Sequence, residues 1–159
     1  MAGDLRSKER AIVTLTSSGG SLTTGTAGLA NGTADFDARS SGNAPDDLQA
    51  QFELIVQWAT ITSIVANMVI AELYLLPALD ATNFPDVDTT GGSSVIPAAA
   101  FVDSFICAKA PTANTDMRFV SREIAINPLL YRPYLLNRSG QTMSVNWALK
   151  VVSVQGQYT

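Results

Sequence analysis

Between Leu48 and Ile61 the chain sets an apolar residue at every second position. Phe52, Leu54, Val56 and Trp58 fall on one side, and Gln51, Glu53, Ile55 and Gln57 on the other. A repeat of two matches a strand, whose successive side chains point to opposite faces, and does not match a helix. A strand patterned in this way has one face to cover, so the chain needs a second layer to pack against it. The same alternation returns in Ala11–Thr16 and in Met117–Ile126, where Phe119, Ser121 and Glu123 oppose Arg118, Val120, Arg122 and Ile124. It returns again in Val145–Val154, with Val145, Trp147, Leu149 and Val151 on one side. Long helical periodicity is absent.

The densest apolar stretch, Ile64 to Leu76, lies at the centre of the chain and is interrupted by Asn67 and Glu72. It is shorter than the roughly twenty apolar residues of a membrane span, and it carries a charge. Length alone leaves a buried helix and a buried strand both open. β-Branched and aromatic residues between Met68 and Leu76, and the stop at Pro77, favour a strand with Glu72 and Tyr74 on one face and Leu73 and Leu75 on the other. The loop that follows, Asp80 to Asp88, is built of turn formers, with Phe84 as its expected anchor. Other loops are Ser17–Gly20, Arg39–Asp47, Thr89–Ser94, Ala110–Asp116 and Asn137–Gly140, the last with a glycine available for a positive φ. Tyr134–Leu136 reads as a short strand. The expected fold is therefore all-β: an eight-stranded jelly-roll β-sandwich over residues 11–159, preceded by a mobile N-terminal arm over residues 1–10. No repeat of fixed period points to a solenoid or propeller.

The 159 residues suit one domain with a sizeable core, and only 15% of them are charged against about 25% in ordinary soluble domains. Such a surface suits a subunit partly covered by partners. A net charge of −4 disfavours binding to nucleic-acid phosphates. There is no histidine, which removes His-based triads and the commonest zinc ligand, and the single cysteine, Cys107, lies in an apolar run without a base to activate it. Cys107 reads as a small buried hydrophobe. The charged start MAGDLRSKER lacks the pattern of a signal peptide, so synthesis in a reducing cytoplasm is expected.

Each remaining candidate site has a plainer reading. Asp80, Asn83, Asp86 and Asp88 could offer oxygens to calcium, but their spacing matches no calcium loop, and a solvated turn is preferred. Glu53 and Glu72 could form a glycosidase-like carboxylate pair, but nothing sets them face to face. Trp58 and Trp147 could stack on sugars, but each sits on the apolar side of its strand. The pairs Gly19-Gly20 and Gly91-Gly92 carry no phosphate-loop motif. No enzyme activity, metal or cofactor is expected.

Two segments resemble parts of small jelly-roll structural proteins of tailed bacteriophages. One is Ala71-Glu-Leu-Tyr-Leu-Leu-Pro-Ala-Leu-Asp-Ala-Thr-Asn-Phe-Pro-Asp86; the other runs from Ile126 through Asn137-Arg-Ser-Gly-Gln141. The resemblance implies a virion protein made in the host cytoplasm, foremost a capsid decoration or cement protein that binds the major capsid protein and itself, as a trimer. The alternative it admits is a receptor- or carbohydrate-binding module of a head fibre or tail. No nucleic-acid or membrane partner is implied. Arg6, Lys8 and Arg10, three cations in an acidic chain, are the expected partner-binding residues, because a polar arm can order on an acidic neighbour. Strands poor in the lysines that guard free sheet edges point the same way.

Overall fold

The structure is a computed structural model that describes residues 5–9, 12–15, 27–29, 36–37, 47–78, 100–125, 130–143 and 147–158. Among these residues the regular structure is β. The strands are β1 (Leu5–Glu9), β2 (Val13–Leu15), β3 (Ala27–Leu29), β4 (Phe36–Asp37), β5 (Asp47–Val56), β6 (Met68–Ala78), β7 (Phe101–Cys107), β8 (Met117–Val120), β9 (Ile124–Ala125), β10 (Leu130–Asn137) and β11 (Ala148–Tyr158). They form two antiparallel sheets. One has the order β1-β11-β5-β8, with β2 also on β11 and β9 also on β5; the other has the order β3-β10-β6-β7, with β4 also on β10.

The sequence reading counts eight strands, whereas the described residues hold eleven strand segments. The excess comes from interrupted edges. Lys150 pairs with both Thr14 and Glu53, and Val154 with both Glu9 and Gln49, so β1 and β2 share the edge of β11 that β5 leaves free. β8 and β9 share one edge of β5 in the same way, and β3 and β4 one edge of β10. Pro133, which has no N–H to give, sits where the line of β3 and β4 is broken.

The segment expected as part of a mobile arm is corrected by the pairing of β1. Leu5 to Glu9 lies in register with Tyr158 to Val154 of β11. The sequence reading looks for apolar periodicity, and an edge strand does not need it: the open backbone of β11 supplies the partners. This places Arg6 and Lys8 on a sheet edge. Arg10 lies outside the described residues, as do Asp80, Asn83, Phe84, Asp86, Asp88, Val145 and both glycine pairs.

One continuous core fills the space between the sheets. β5 contributes Phe52, Leu54 and Val56, with Trp58 just beyond; β11 contributes Leu149 and Val151, with Trp147 just before; β6, β7 and β10 contribute Leu73, Leu75, Phe105, Cys107 and Leu135. From Met68 onward the central run is a strand, as its residue types favoured; Ile64–Asn67 lie outside it, and it does not stop at Pro77 but pairs on to Ala78. Its outward residues Tyr74 and Leu76 join Ala100 and Leu136 in a second buried cluster on the far side of that sheet.

Alternation is not kept blindly. Ile70 and Ala71 both enter the core, and there the register with β7 shifts. Val102 is the extra residue of a second shift, opposite Leu73 and Tyr74; it turns inward and leaves Phe101 outside. The alternation expected through Ile126 also fails, because Ile124 is buried rather than outward. The break comes at Ser121. Its N–H donates to the Phe52 carbonyl at 2.8 Å, and its hydroxyl accepts from the Phe52 N–H at 2.9 Å. A side chain thus takes over one rung of the ladder, and the strand resumes in the opposite phase.

Trp147 is 3% exposed in this core. Trp147→Ala should lower the unfolding free energy by about 3–5 kcal/mol. Denaturant titration checks this, and a loss below about 1 kcal/mol would mean that the site collapses or is not packed.

Candidate interaction surface at one end of the sandwich

The sharpest polar construction in the chain is the turn after β10. Asn137 is fully buried, and its side-chain oxygen accepts from the Ser139 N–H at 2.9 Å and from the Ser139 hydroxyl at 2.7 Å. Its amide donates to the Gln141 carbonyl at 2.8 Å. Gly140 has φ +73°, and a Cβ there would lie 3.1 Å from the Ser63 hydroxyl. The positive φ is what favours glycine there, and an added Cβ would also press the Ser63 hydroxyl to shift by a few tenths of an ångström. The triplet Asn137-Arg-Ser has the spacing of a glycosylation acceptor, but the burial of Asn137 closes that route.

This turn aims Gln141 across to the segment between β5 and β6. Its side-chain oxygen accepts from the Thr62 and Ser63 N–H groups at 3.0 and 3.3 Å, and its amide donates to the Thr60 carbonyl at 2.7 Å. The far end of that segment is Asn67, with φ 64°, whose N–H donates to the Cys107 carbonyl at 2.6 Å. The β7–β8 connection is held in turn: the Asn114 N–H donates to the Trp58 carbonyl at 2.9 Å, and the Cys107 thiol to the Lys109 carbonyl at 2.7 Å. Burial pushes the Cys107 thiol above its ordinary range, with the bond to Lys109 acting in the opposite sense.

These three connections make one end of the sandwich. Its exposed side chains are small and mostly uncharged, among them Thr60, Thr62, Ser63, Val65, Ala66 and Thr112. Short side chains lose little rotamer freedom when covered, and uncharged ones cost far less to desolvate than charges, provided that their hydroxyls find partners. A surface whose backbone is already fixed adds no ordering cost of its own. Chemically it can offer hydroxyls, backbone groups and methyls to another protein face. It offers no aromatic platform.

The remaining candidates resolve as follows. Glu53 and Glu72 lie on opposite outer faces, with the core between them. Glu53 pairs with Arg118 at 3.0 Å and with Lys150 at 3.7 Å. Glu72 takes Arg138 Nε at 3.0 Å and the Tyr74 hydroxyl at 2.8 Å on the same oxygen. Burial first, then the Glu72 carboxylate, raises the Tyr74 phenol. Trp58 and Trp147 are core residues, which removes them as sugar platforms. Among the described residues no group of three or more acidic or thiol ligands could hold a metal, and no helix is long and apolar enough to cross a membrane. The clamping role of Gln141 is missed by sequence reading; the signals beside it are the glycine available for a positive φ and the Asn137-to-Gln141 turn of the resemblance. No family model matches the sequence, no curated protein matches it, and no solved structure matches the chain.

Two outcomes follow. Gln141→Ala should cost about 0.5–1.5 kcal/mol and speed amide exchange at Thr62 and Ser63; unchanged exchange there would remove the clamp. Cys107 should resist alkylation in the folded protein and react once denaturant unfolds it. Because its folded thiol is raised above the unfolded one, its contribution is whole below the unfolded value and is lost as pH rises through the folded one. The melting temperature should therefore fall in alkali, and less so in Cys107→Ser, as a pH series of thermal melts would reveal.

Proposed function

We propose that this protein is a structural virion protein, a capsid decoration or cement subunit that binds the outer surface of a shell and stabilises it without catalysis. The observation that carries the reading is the end surface held by Gln141: a fixed protein face of mostly small, uncharged side chains, with Lys109, Asp116 and Arg138 as its exposed charges and no reactive constellation among the described residues behind it. The resemblance to phage jelly-roll proteins adds to this. Its two segments become neighbours, because Ala71 to Ala78 pairs in register with Asn137 to Leu130. The strand order also supports a jelly roll. If the interrupted edges are counted as single lines, the described residues give eight. Lines one, eight, three and six make one sheet, and lines two, seven, four and five the other. That is the order of two interlocked Greek keys.

The mechanism is passive. A subunit that binds only the assembled shell shifts the equilibrium toward assembly by mass action. The end surface supplies the docking face, and the β1 edge, with Arg6 and Lys8 in it, supplies a second contact toward an acidic neighbour. The major capsid protein is the partner, and the virion the place of action.

The test is to prepare shells without this protein, add it back, and measure occupancy and the temperature of genome release. Bound protein should raise that temperature, and Val65→Asp should lower occupancy. Shells equally heat-resistant with and without the protein would sink the stabilising role, and binding by Val65→Asp as full as that of the intact chain would move the docking face elsewhere.

A further inference from the structure

The line that β1 and β2 draw along β11 has a joint in it. Glu9 stands opposite Val154 and Val13 opposite Val151, so residues 10–12 span a place that holds two residues on β11. One residue is in excess there, as in a bulge. Ile12 closes the joint and is 68% exposed, the most of the five large apolar side chains that stand out among the described residues. It belongs to neither buried cluster.

The two sides of the joint are tied differently. On one side, Val13 and Leu15 of β2 are in register with the core residues Val151 and Leu149. On the other, β1 reads Leu-Arg-Ser-Lys-Glu, polar in four places of five. Among the described residues its ladder is to β11 alone. A strand of that composition is held chiefly by backbone hydrogen bonds, and water replaces those at small net loss when the strand lifts. β2 is thereby the anchor, and β1 a terminal strap.

A lifted strap uncovers the β11 edge from Val154 to Tyr158, and an open edge takes another strand. The sequence that fits this edge in register is Leu5–Glu9 itself. A second copy carries both the strand and the edge. We propose that β1 is exchanged between copies, the β1 of each pairing with the β11 of the other in the register of the closed chain. Exchange loses no ladder bond, since the ladder is the same in both forms. What opposes it is the tether, which gives a chain's own strap an effective concentration of about millimolar. Exchange therefore belongs to crowded copies. The two joints cross at the two-fold axis of such a pair, and Ile12 of each copy is covered there by Ile12 of the other. The inference goes beyond the shell reading and is measured on the free protein, so either can fail alone.

The test mixes full-length variants that each carry one added cysteine. Arg6→Cys stands opposite Gln157→Cys, and Glu9→Cys opposite Val154→Cys. Close and wide pairs alternate along an antiparallel ladder, so one of these two pairs is of the close kind that a disulfide can bridge. Cys107 is buried and does not compete. With both cysteines of that pair in one dilute chain, the disulfide should close within the chain. With the cysteines on separate chains at about millimolar concentration, a covalent mixed dimer should form. Its yield should be about ten times that of a control in which the β1 cysteine meets Thr112→Cys, exposed at the clamped end. Ile12→Asp in both chains should lower the yield about tenfold. Hydrogen exchange on the intact protein needs no variant: the β1 amides should exchange by local opening, while the Leu54 amide waits for global unfolding. A mixed yield no higher than the control, or β1 amides that exchange only when Leu54 does, overturns the exchange. A yield indifferent to Ile12→Asp overturns the crossing at the joint.

Discussion

Everything in this fold depends on keeping one face of every long strand inside a single apolar layer. With side chains alternating, one residue out of phase would send the rest of a strand's apolar set to the wrong side. The sequence does slip, and the structure answers each slip locally. The register shift at Ile70 and Ala71 lets two consecutive residues point inward and preserves Leu73 and Leu75 as core. Val102 does the same for β7. At Ser121 a hydroxyl substitutes for a backbone partner, so the strand can stop and restart with Ile124 inside. In each case a local break in the ladder preserves the burial of a whole strand face, and burying several apolar side chains outweighs one hydrogen bond.

That constraint explains what could be read from the sequence and what could not. Phe52, Leu54, Val56, Trp58, Trp147 and Leu149 announce themselves, because alternation is a property of neighbours along the chain. The inward turn of Ile124 does not, since it depends on a hydrogen bond between residues sixty-nine apart, Phe52 and Ser121. β1 escapes for a different reason. Its place is fixed by the free backbone of β11, which leaves no apolar pattern in Leu5–Glu9. Pro133 misleads too. It shortens the strand expected around Tyr134, yet it is accommodated where the neighbouring line is broken.

The candidate surface was the least legible part, because its precision comes from side chains that meet only after folding. Asn137, Ser139 and Gln141 look like ordinary turn residues. Their roles appear when the turn is set against Thr60–Ser63, far away in sequence. The composition did carry a trace of it: a chain with few charges has to place its Thr, Ser and Ala somewhere. Part of that small-residue content lies on the end loops, where side-chain amides and backbone bonds do the holding that charged pairs do elsewhere.

The two outer faces of the sandwich are organised differently from the clamped end. Glu53 sits between Arg118 and Lys150 on one face, and Glu72 holds Arg138 and Tyr74 on the other. Charges satisfied within the chain leave little to offer a partner, and exposed ion pairs of this kind contribute modestly to stability. They keep the polar part of each broad face self-contained, while on the β6 side the cluster of Tyr74, Leu76, Ala100 and Leu136 is buried beside them. Small uncharged side chains are left exposed instead at the clamped end, among them Thr60, Thr62, Val65 and Thr112. Under the proposed function, such a subunit would meet its neighbours by shape and position rather than by chemistry at a site.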